Sequence, residues 1–289
     1  MQSITITDVR SQPGDSAFLI DDGQTAICYD TGFAFTGHSV AEKIRTILKE
    51  RSLDYIFLTH SHYDHVLGSS YLRKFWPNAT IVAADYASVI FKKSSAREVM
   101  RDLDRKFAAA CGVIQYEDLI DSLHVDIPVN DGDWIQAGSM NFQVVSLPGH
   151  TKCSVGYYLP EHKLLLGTET LGVYDGGQTV VPSFLIGYQT TLASMEKALT
   201  MDIQSILLPH YGLLPPEKTA FYLQNGKQNT IETAEKIVQI IRSGGSEEDA
   251  AQWFQNRFYH GYIQTIYPID AMQLNTGIMI RQIRKELLP

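Results

Sequence analysis

The stretch Tyr55-Ile56-Phe57-Leu58-Thr59-His60-Ser61-His62-Tyr63-Asp64-His65 decides how this chain is read. Four consecutive apolar or aromatic residues make a short buried strand. The six residues after Thr59 then carry three imidazoles and a carboxylate. His60, His62, Asp64 and His65 are the nitrogen and oxygen donors that borderline divalent metals prefer. The segment lies where a strand gives way to a helix, and α/β sheets place their ligand sites there. Taken alone, the stretch would also suit a solvated, His-rich loop.

Three segments further along repeat the pattern. His150 follows an apolar run in Leu147-Pro148-Gly149-His150-Thr151, and Glu169 follows one in Leu165-Leu166-Gly167-Thr168-Glu169-Thr170. His210 follows another in Ile206-Leu207-Leu208-Pro209-His210-Tyr211-Gly212. Each puts one metal-competent side chain just past the carboxyl end of a strand, a recurrence that an accidental loop does not explain. Of the other histidines, His38 and His162 fall in turns, and His124 and His260 read as structural.

Around these segments the chain alternates strands and helices. Short β-like runs cover residues 4–9, 17–20 and 26–29, with turns at Asp21-Asp22-Gly23 and Asp30-Thr31-Gly32. Helical spacing covers 40–49, 66–75 and much of 86–111. Strands are predicted at 80–84, 123–127, 133–136 and 141–147, and a hairpin over 154–167. A further helix at 192–199 and strand at 205–208 complete this part. After Pro215-Pro216 only helical periodicity is left, broken at Gly244-Gly245 and Tyr267-Pro268, with Ser246 to Asp249 as a helix cap. Residues 1–215 therefore read as a mixed α/β part, and 216–289 as an α-helical extension.

Composition narrows the function classes. The 289 residues carry 24 Lys+Arg against 32 Asp+Glu, a net charge of −8. That balance argues against nucleic acid as the main partner, because phosphate binding needs clustered basic residues. Hydrophobic residues at 44% and charged ones at 19% are those of a globular chain and exclude disorder. Cys28, Cys111 and Cys153 are widely spaced and odd in number, which suits free thiols in a reducing compartment. Residues 1–10 lack a leader pattern, and no apolar run approaches the ~18 residues of a membrane helix. The expectation is a cytoplasmic protein acting on a small molecule, without nucleic-acid or membrane partners. Oligomeric state, a homodimer included, is left open.

His60-Ser61-His62-Tyr63-Asp64-His65 resembles the HxHxDH signature of the metallo-β-lactamase superfamily, and the Pro-Gly-His-Thr, Gly-Thr-Glu and Pro-His-Tyr-Gly segments follow in that family's order. The resemblance spans roughly residues 1–215. The helical tail is similar to those of glyoxalase II-type hydrolases and of the thioesterase-like quinolone-signal response proteins. It implies an αββα sandwich with a C-terminal α-helical extension and two metal ions. His60, His62 and His150 would hold the first, and Asp64, His65 and His210 the second. Glu169 stands where the family usually has a bridging Asp. Its extra methylene leaves four options: bridging both metals, binding one, weakening the pair, or altering metal preference. Zinc comes first, with iron or manganese as alternatives; the imidazole at His62, where the flavodiiron branch usually carries an acid, counts against an oxygen-reducing di-iron role.

Two such cations would generate hydroxide at neutral pH. The resemblance therefore implies a hydrolase of a small ester or thioester, with Asp64 orienting the nucleophile. A lactonase, a phosphodiesterase, and a regulatory protein that keeps the metallo-hydrolase site are the rival readings. Tyr63 and Tyr211, each beside a ligand, are candidates to hydrogen-bond the scissile oxygen or the leaving group, against the plainer option of aromatic packing. Tyr174 and Phe184, in the segment after the bridging position, are candidate substrate contacts. Trp253, Phe254, Phe258, Tyr259, Tyr262 and Tyr267 in the tail read mainly as helix packing, with some left to roof a pocket.

Overall fold

The structure, a computed structural model, describes residues 3–288. Met1, Gln2 and Pro289, and with them the first residues of the leader reading and the outer ends of the two expected segments, lie outside the described residues. The chain divides into two compact units. One takes the described residues up to Ser146 together with Val155–His162. The other takes Leu147–Ser154 and the described residues from Lys163 onward, so the residues after 215 belong to the same unit as 163–214.

In the first unit, β1 (Thr5–Asp8), β2 (Phe18–Asp21) and β3 (Ala26–Tyr29) run antiparallel. Next to β3 lie β4 (Tyr55–Phe57), β5 (Thr80–Ala84) and β6 (Ile127–Val129), all parallel. β3 and most of β4 and β5 are buried continuous apolar runs, the pattern of strands covered on both faces. In a meander of β7 (Trp134–Ala137), β8 (Met140–Ser146) and β9 (Val155–Leu159), β7 and most of β8 alternate, burying Ile135, Ala137, Met140, Phe142 and Val144, while β9 is buried throughout. Phe142 and Tyr157 of the meander stack on Phe57 of β4 at 5.2 and 4.6 Å.

The helices of this unit are α1 (Ala34–Leu48), α2 (Tyr63–Val66), α3 (Ser69–Phe75), α4 (Asp85–Phe91) and α5 (Ser94–Ala110). α1 begins six residues earlier than its apolar spacing predicts. Its first free N–H groups are taken by distant carboxylates: Phe33 N–H donates to Asp15 at 3.2 Å and Ala34 N–H to Asp104 at 2.8 Å. Burial pushes the Asp104 carboxyl up to about 6, against the lowering effect of the Tyr116 hydroxyl and the Ala34 N–H that donate to it. The helix expected over 66–75 splits in two at Gly68. A Cβ there would lie 1.9 Å from the Thr31 carbonyl oxygen, so only glycine lets the two segments approach. The strand expected at 123–127 starts only at Ile127, because residue 126 is bound by its side chain: Asp126 accepts from Ile81 N–H and pairs with Arg73.

In the second unit, β10 (Leu164–Leu166) pairs parallel with β13 (Ser205–Leu208), which pairs antiparallel with β14 (Gly212–Leu214). β11 (Val173–Tyr174) and β12 (Val180–Val181) form a small hairpin. The segment 163–167, read with 154–159 as a hairpin, forms strand β10 over Leu164–Leu166. Helix α6 (Tyr188–Leu199) begins four residues before its predicted start, because Glu286 accepts the N–H groups of Tyr188 and Gln189, each at 2.9 Å. α7 (Pro216–Arg242), α8 (Glu247–Phe258), α9 (Tyr262–Ile266) and α10 (Ile269–Leu287) follow. A reciprocal Ser246–Asp249 box caps α8. The helices are tied to the rest of the unit by Tyr222, which donates to Gly172 O at 2.7 Å, and by Asn229, which donates to Val180 O at 2.9 Å. Their core is Phe184, Phe254, Phe258, Met279, Ile280 and Ile283. Among the described residues, no helix is long and apolar enough to cross a membrane. Among the described residues, no disulfide joins Cys28, Cys111 or Cys153.

Candidate metal centre

The first unit supplies four donors from one loop. β4 ends and the chain passes Thr59 into His60–His65, with α2 starting at Tyr63. His60 and His65 are buried, and His62 and Asp64 are half-buried. Each of these pairs offers ligand atoms close together: His60 with His62, and Asp64 with His65, lie within 4.8 Å. The His60 and His65 rings are 4.0 Å apart, centre to centre.

Which nitrogen of each ring is available follows from hydrogen bonds to one buried carboxylate. Asp30, just past the end of β3, accepts from Ser16 Oγ (2.9 Å), Thr59 N (2.9 Å) and Thr59 Oγ1 (3.0–3.1 Å). It also lies 2.7 Å from His65 Nδ1. A carboxylate only accepts, so His65 carries its proton on Nδ1 and turns the Nε2 lone pair outward. Thr59 has a single hydroxyl proton, and that proton goes to Asp30. Toward His60 Nδ1, 3.0 Å away, Thr59 Oγ1 is therefore the acceptor, and His60 likewise keeps Nε2 as the open donor. Asp30 holds this arrangement at φ 51°, a left-handed conformation that Asp tolerates better than most residues. Beneath it, Cys28 donates to the Asp30 carbonyl, and burial pushes its thiol far up, so it is no thiolate ligand.

The second unit brings its donors from three separate segments. Gly149 precedes His150 where any Cβ would fall 2.5 Å from Thr170 and Thr191 side chains. The His150 N–H donates to Thr170 Oγ1 at 3.0 Å, and the ring Nδ1 faces the Ser183 carbonyl at 3.2 Å and Ser183 Oγ at 2.9 Å. That carbonyl can only accept, so the proton again sits on Nδ1. His150 Nε2 then faces Glu169 Oε2 at 2.8 Å, and His210 Nε2 lies 3.4 Å from Glu169 Oε1. All three side chains are buried. Glu169 and His210 follow β10 and β13, whose parallel register sets both donors at the same end of that pair. His210 adopts φ 61°, held by the Tyr262 hydroxyl, which donates to its carbonyl.

The carboxylate of Glu169 thus offers one oxygen to each of two imidazoles. A carboxylate oxygen and an imidazole lone pair at 2.8 Å repel unless a cation lies with them. The donor set therefore fits a divalent metal ion on the chemistry of its atoms.

Sequence reasoning missed two participants. Asp30 was absorbed into a turn, although a carboxylate at a strand's carboxyl end is the signal that singled out the other donors. Tyr267 was read as helix packing, yet its hydroxyl donates to Glu169 Oε1 at 2.5 Å. Among the other named residues, Tyr63 packs on Phe33 at 5.6 Å. Tyr211 lies between Tyr174 (4.7 Å) and Tyr262 (5.8 Å). Tyr174 is buried, with its hydroxyl donating to Gly177 O at 2.9 Å, and Phe184 is fully buried.

Residues 14–210 match the family model described as the metallo-beta-lactamase superfamily. The chain is 28% identical over 194 residues to Glyoxylase B2 of Dictyostelium discoideum, covering 63% of this chain and 61% of that protein. It is 31% identical over 127 residues to the hydroxyacylglutathione hydrolase of Prochlorococcus marinus (strain MIT 9303), covering 43% and 37%. The matches thus span less than two thirds of either relative. In fold, a metallo-beta-lactamase family protein of Thermus thermophilus superposes with a TM-score of 0.66 at 14% identity, covering 99% of this chain and 94% of that one.

Proposed function

The chain belongs to the metallo-β-lactamase superfamily, with the mixed α/β fold of that family and C-terminal helices, and on that premise we propose that it is a dinuclear metal-dependent hydrolase of a small ester or thioester. The observation that carries the reading is Glu169, whose two oxygens face His150 and His210 separately. His60, His62 and His150 would hold one ion, Asp64, His65 and His210 the other, and Glu169 would bridge them. Zinc is the first choice and iron or manganese the next. Such a pair supplies hydroxide at neutral pH and a Lewis acid for the carbonyl oxygen.

The chain's own residues do the rest. Asp30, Thr59 and Ser183 hold the imidazoles in the tautomer that ligates. Asp64 orients the attacking water and takes its proton. Tyr63 and Tyr211 are the candidate donors to the scissile oxygen or leaving group, and Tyr174 and Phe184 the candidate substrate contacts. The thioester choice draws on the relative whose name places an acyl group on glutathione. Net charge −8 favours a small-molecule substrate over nucleic acid, and three cysteines outside any disulfide suit the cytoplasm.

The test is to measure bound metal per chain and turnover of thioester, ester, lactone and phosphodiester probes. About two ions per chain are expected, with thioester or ester cleavage that falls by about 10³-fold in Asp64→Asn. Cleavage of bis(p-nitrophenyl) phosphate faster than any acyl substrate would overturn the substrate class. Full metal occupancy without turnover of any probe would overturn the enzymatic reading.

A further inference from the structure

The short helix α9 has a tyrosine at each end, and both hydroxyls reach the same side of Glu169. Tyr262, its first residue, donates to the carbonyl of His210. Tyr267, just past its last, donates at 2.5 Å to Glu169 Oε1, the carboxylate oxygen that faces His210. The rings follow the hydroxyls. Tyr267 lies 6.2 Å from the His210 ring, and Tyr262 packs edge-on at 5.8 Å against Tyr211, the residue after His210. α9 itself is fixed in the helical core. Ile263 and Ile266 are buried there, and the Tyr259 hydroxyl, just past α8, donates to Tyr267 O at 3.0 Å. The other side of Glu169 is held from different elements: His150 faces Oε2, and Thr170 and Ser183 meet His150.

From this arrangement we propose that α9 governs one ion of the pair. Tyr262 and Tyr267 are positioning residues for the ion on the His210 side, and the ion on the His150 side is held without them. The proposal rests on the dinuclear reading above and divides its two ions by what holds each. His210 depends on α9 because its backbone is left-handed, at φ 61°, a conformation unfavourable for a residue with a Cβ. Without the Tyr262 hydrogen bond to its carbonyl, that strain relaxes and draws the imidazole away. Glu169 depends on α9 because a flexible side chain presents a chosen oxygen only when a partner fixes it, and Tyr267 fixes Oε1. Coupling of this kind is reciprocal: whatever α9 adds to the hold on the ion, the ion adds to the hold on α9. Loosening α9 therefore lowers occupancy at one position and not at the other.

Stepwise removal of zinc reads the division. From the zinc-loaded protein, a chelator is expected to take the two ions in separate steps. Tyr262→Phe combined with Tyr267→Phe keeps both rings and removes both hydroxyls. That variant is expected to weaken one step by about 30-fold and the other by less than about twofold. Equal weakening of both steps, or of neither, overturns the proposal. Hydrogen exchange of the backbone amides at 263–267 is the second measurement, and it needs no turnover. Zinc is expected to slow that exchange by about tenfold in the wild type and not in His210→Ala. Exchange that zinc leaves unchanged in the wild type, or slows equally in both proteins, overturns the proposal. If only one ion binds, the dinuclear reading fails. Slowing that is lost in His210→Ala then still supports the hold of α9 on the His210 side, and slowing that persists overturns it.

Discussion

The two units hold their donors in opposite ways. In the first, His60, His62, Asp64 and His65 come from six consecutive residues, and one carboxylate, Asp30, fixes the tautomers of two of the rings directly or through Thr59. In the second, His150, Glu169 and His210 come from three segments up to 60 residues apart in sequence, and contacts from further elements hold each one: Thr170 and Ser183 for His150, Tyr262 for the His210 backbone, Tyr267 for Glu169. A compact motif can be oriented by one neighbour. A dispersed set needs a separate brace for each donor, and here the C-terminal helices supply two of them.

If that contrast holds, loss of the shared carboxylate should cost more than loss of any single brace. Asp30→Asn places an amide donor against at least one N–H or O–H that now donates, and it pushes His65 toward the wrong tautomer. About a 100-fold loss of metal affinity is expected, read by competition with a chelator. An effect no larger than that of Tyr267→Phe would break the contrast.

A second buried carboxylate in the same unit separates holding a metal ligand from holding a helix. Asp104 receives the N-terminal N–H of α1, and burial raises it to about 6. The folded protein thus binds this proton more tightly than the unfolded chain does. Its contribution is most favourable below about pH 4 and is lost as pH rises through about 6. Relative to Asp104→Asn, the wild type should lose on the order of 2 kcal/mol between those limits, measured by denaturant unfolding at each pH, with metal content unchanged. A pH-independent difference would refute it.

The smallest effect belongs to a single brace. Tyr267→Phe removes one hydrogen bond to Glu169 and keeps the ring that packs near His210 at 6.2 Å. About a tenfold loss of metal affinity is expected, with a stability change near 1 kcal/mol, from chelator competition and thermal unfolding of the same samples. Unchanged metal binding would mean that Glu169 is oriented without the helical extension.

Helix ends teach the same lesson as the donors. Apolar spacing locates the bodies of α1 and α6, yet both begin several residues earlier, because Asp15, Asp104 and Glu286 accept their first N–H groups from far along the chain. The α8 cap, by contrast, was readable, since Ser246 and Asp249 are three residues apart and bond only to each other's neighbourhood.

Order along the chain was enough to identify the mixed α/β class and the helical character after Pro215, and to single out the strand-end side chains as candidate donors. Those features depend on periodicity and on residue type at strand ends, both of which are local. Folding alone decided which nitrogen each imidazole turns outward, that Asp30 and Tyr267 belong with the donors, and that the tail folds in one compact unit with 163–214. Those features depend on side chains dozens of residues apart meeting at hydrogen-bond distance, and no window along the sequence contains both partners.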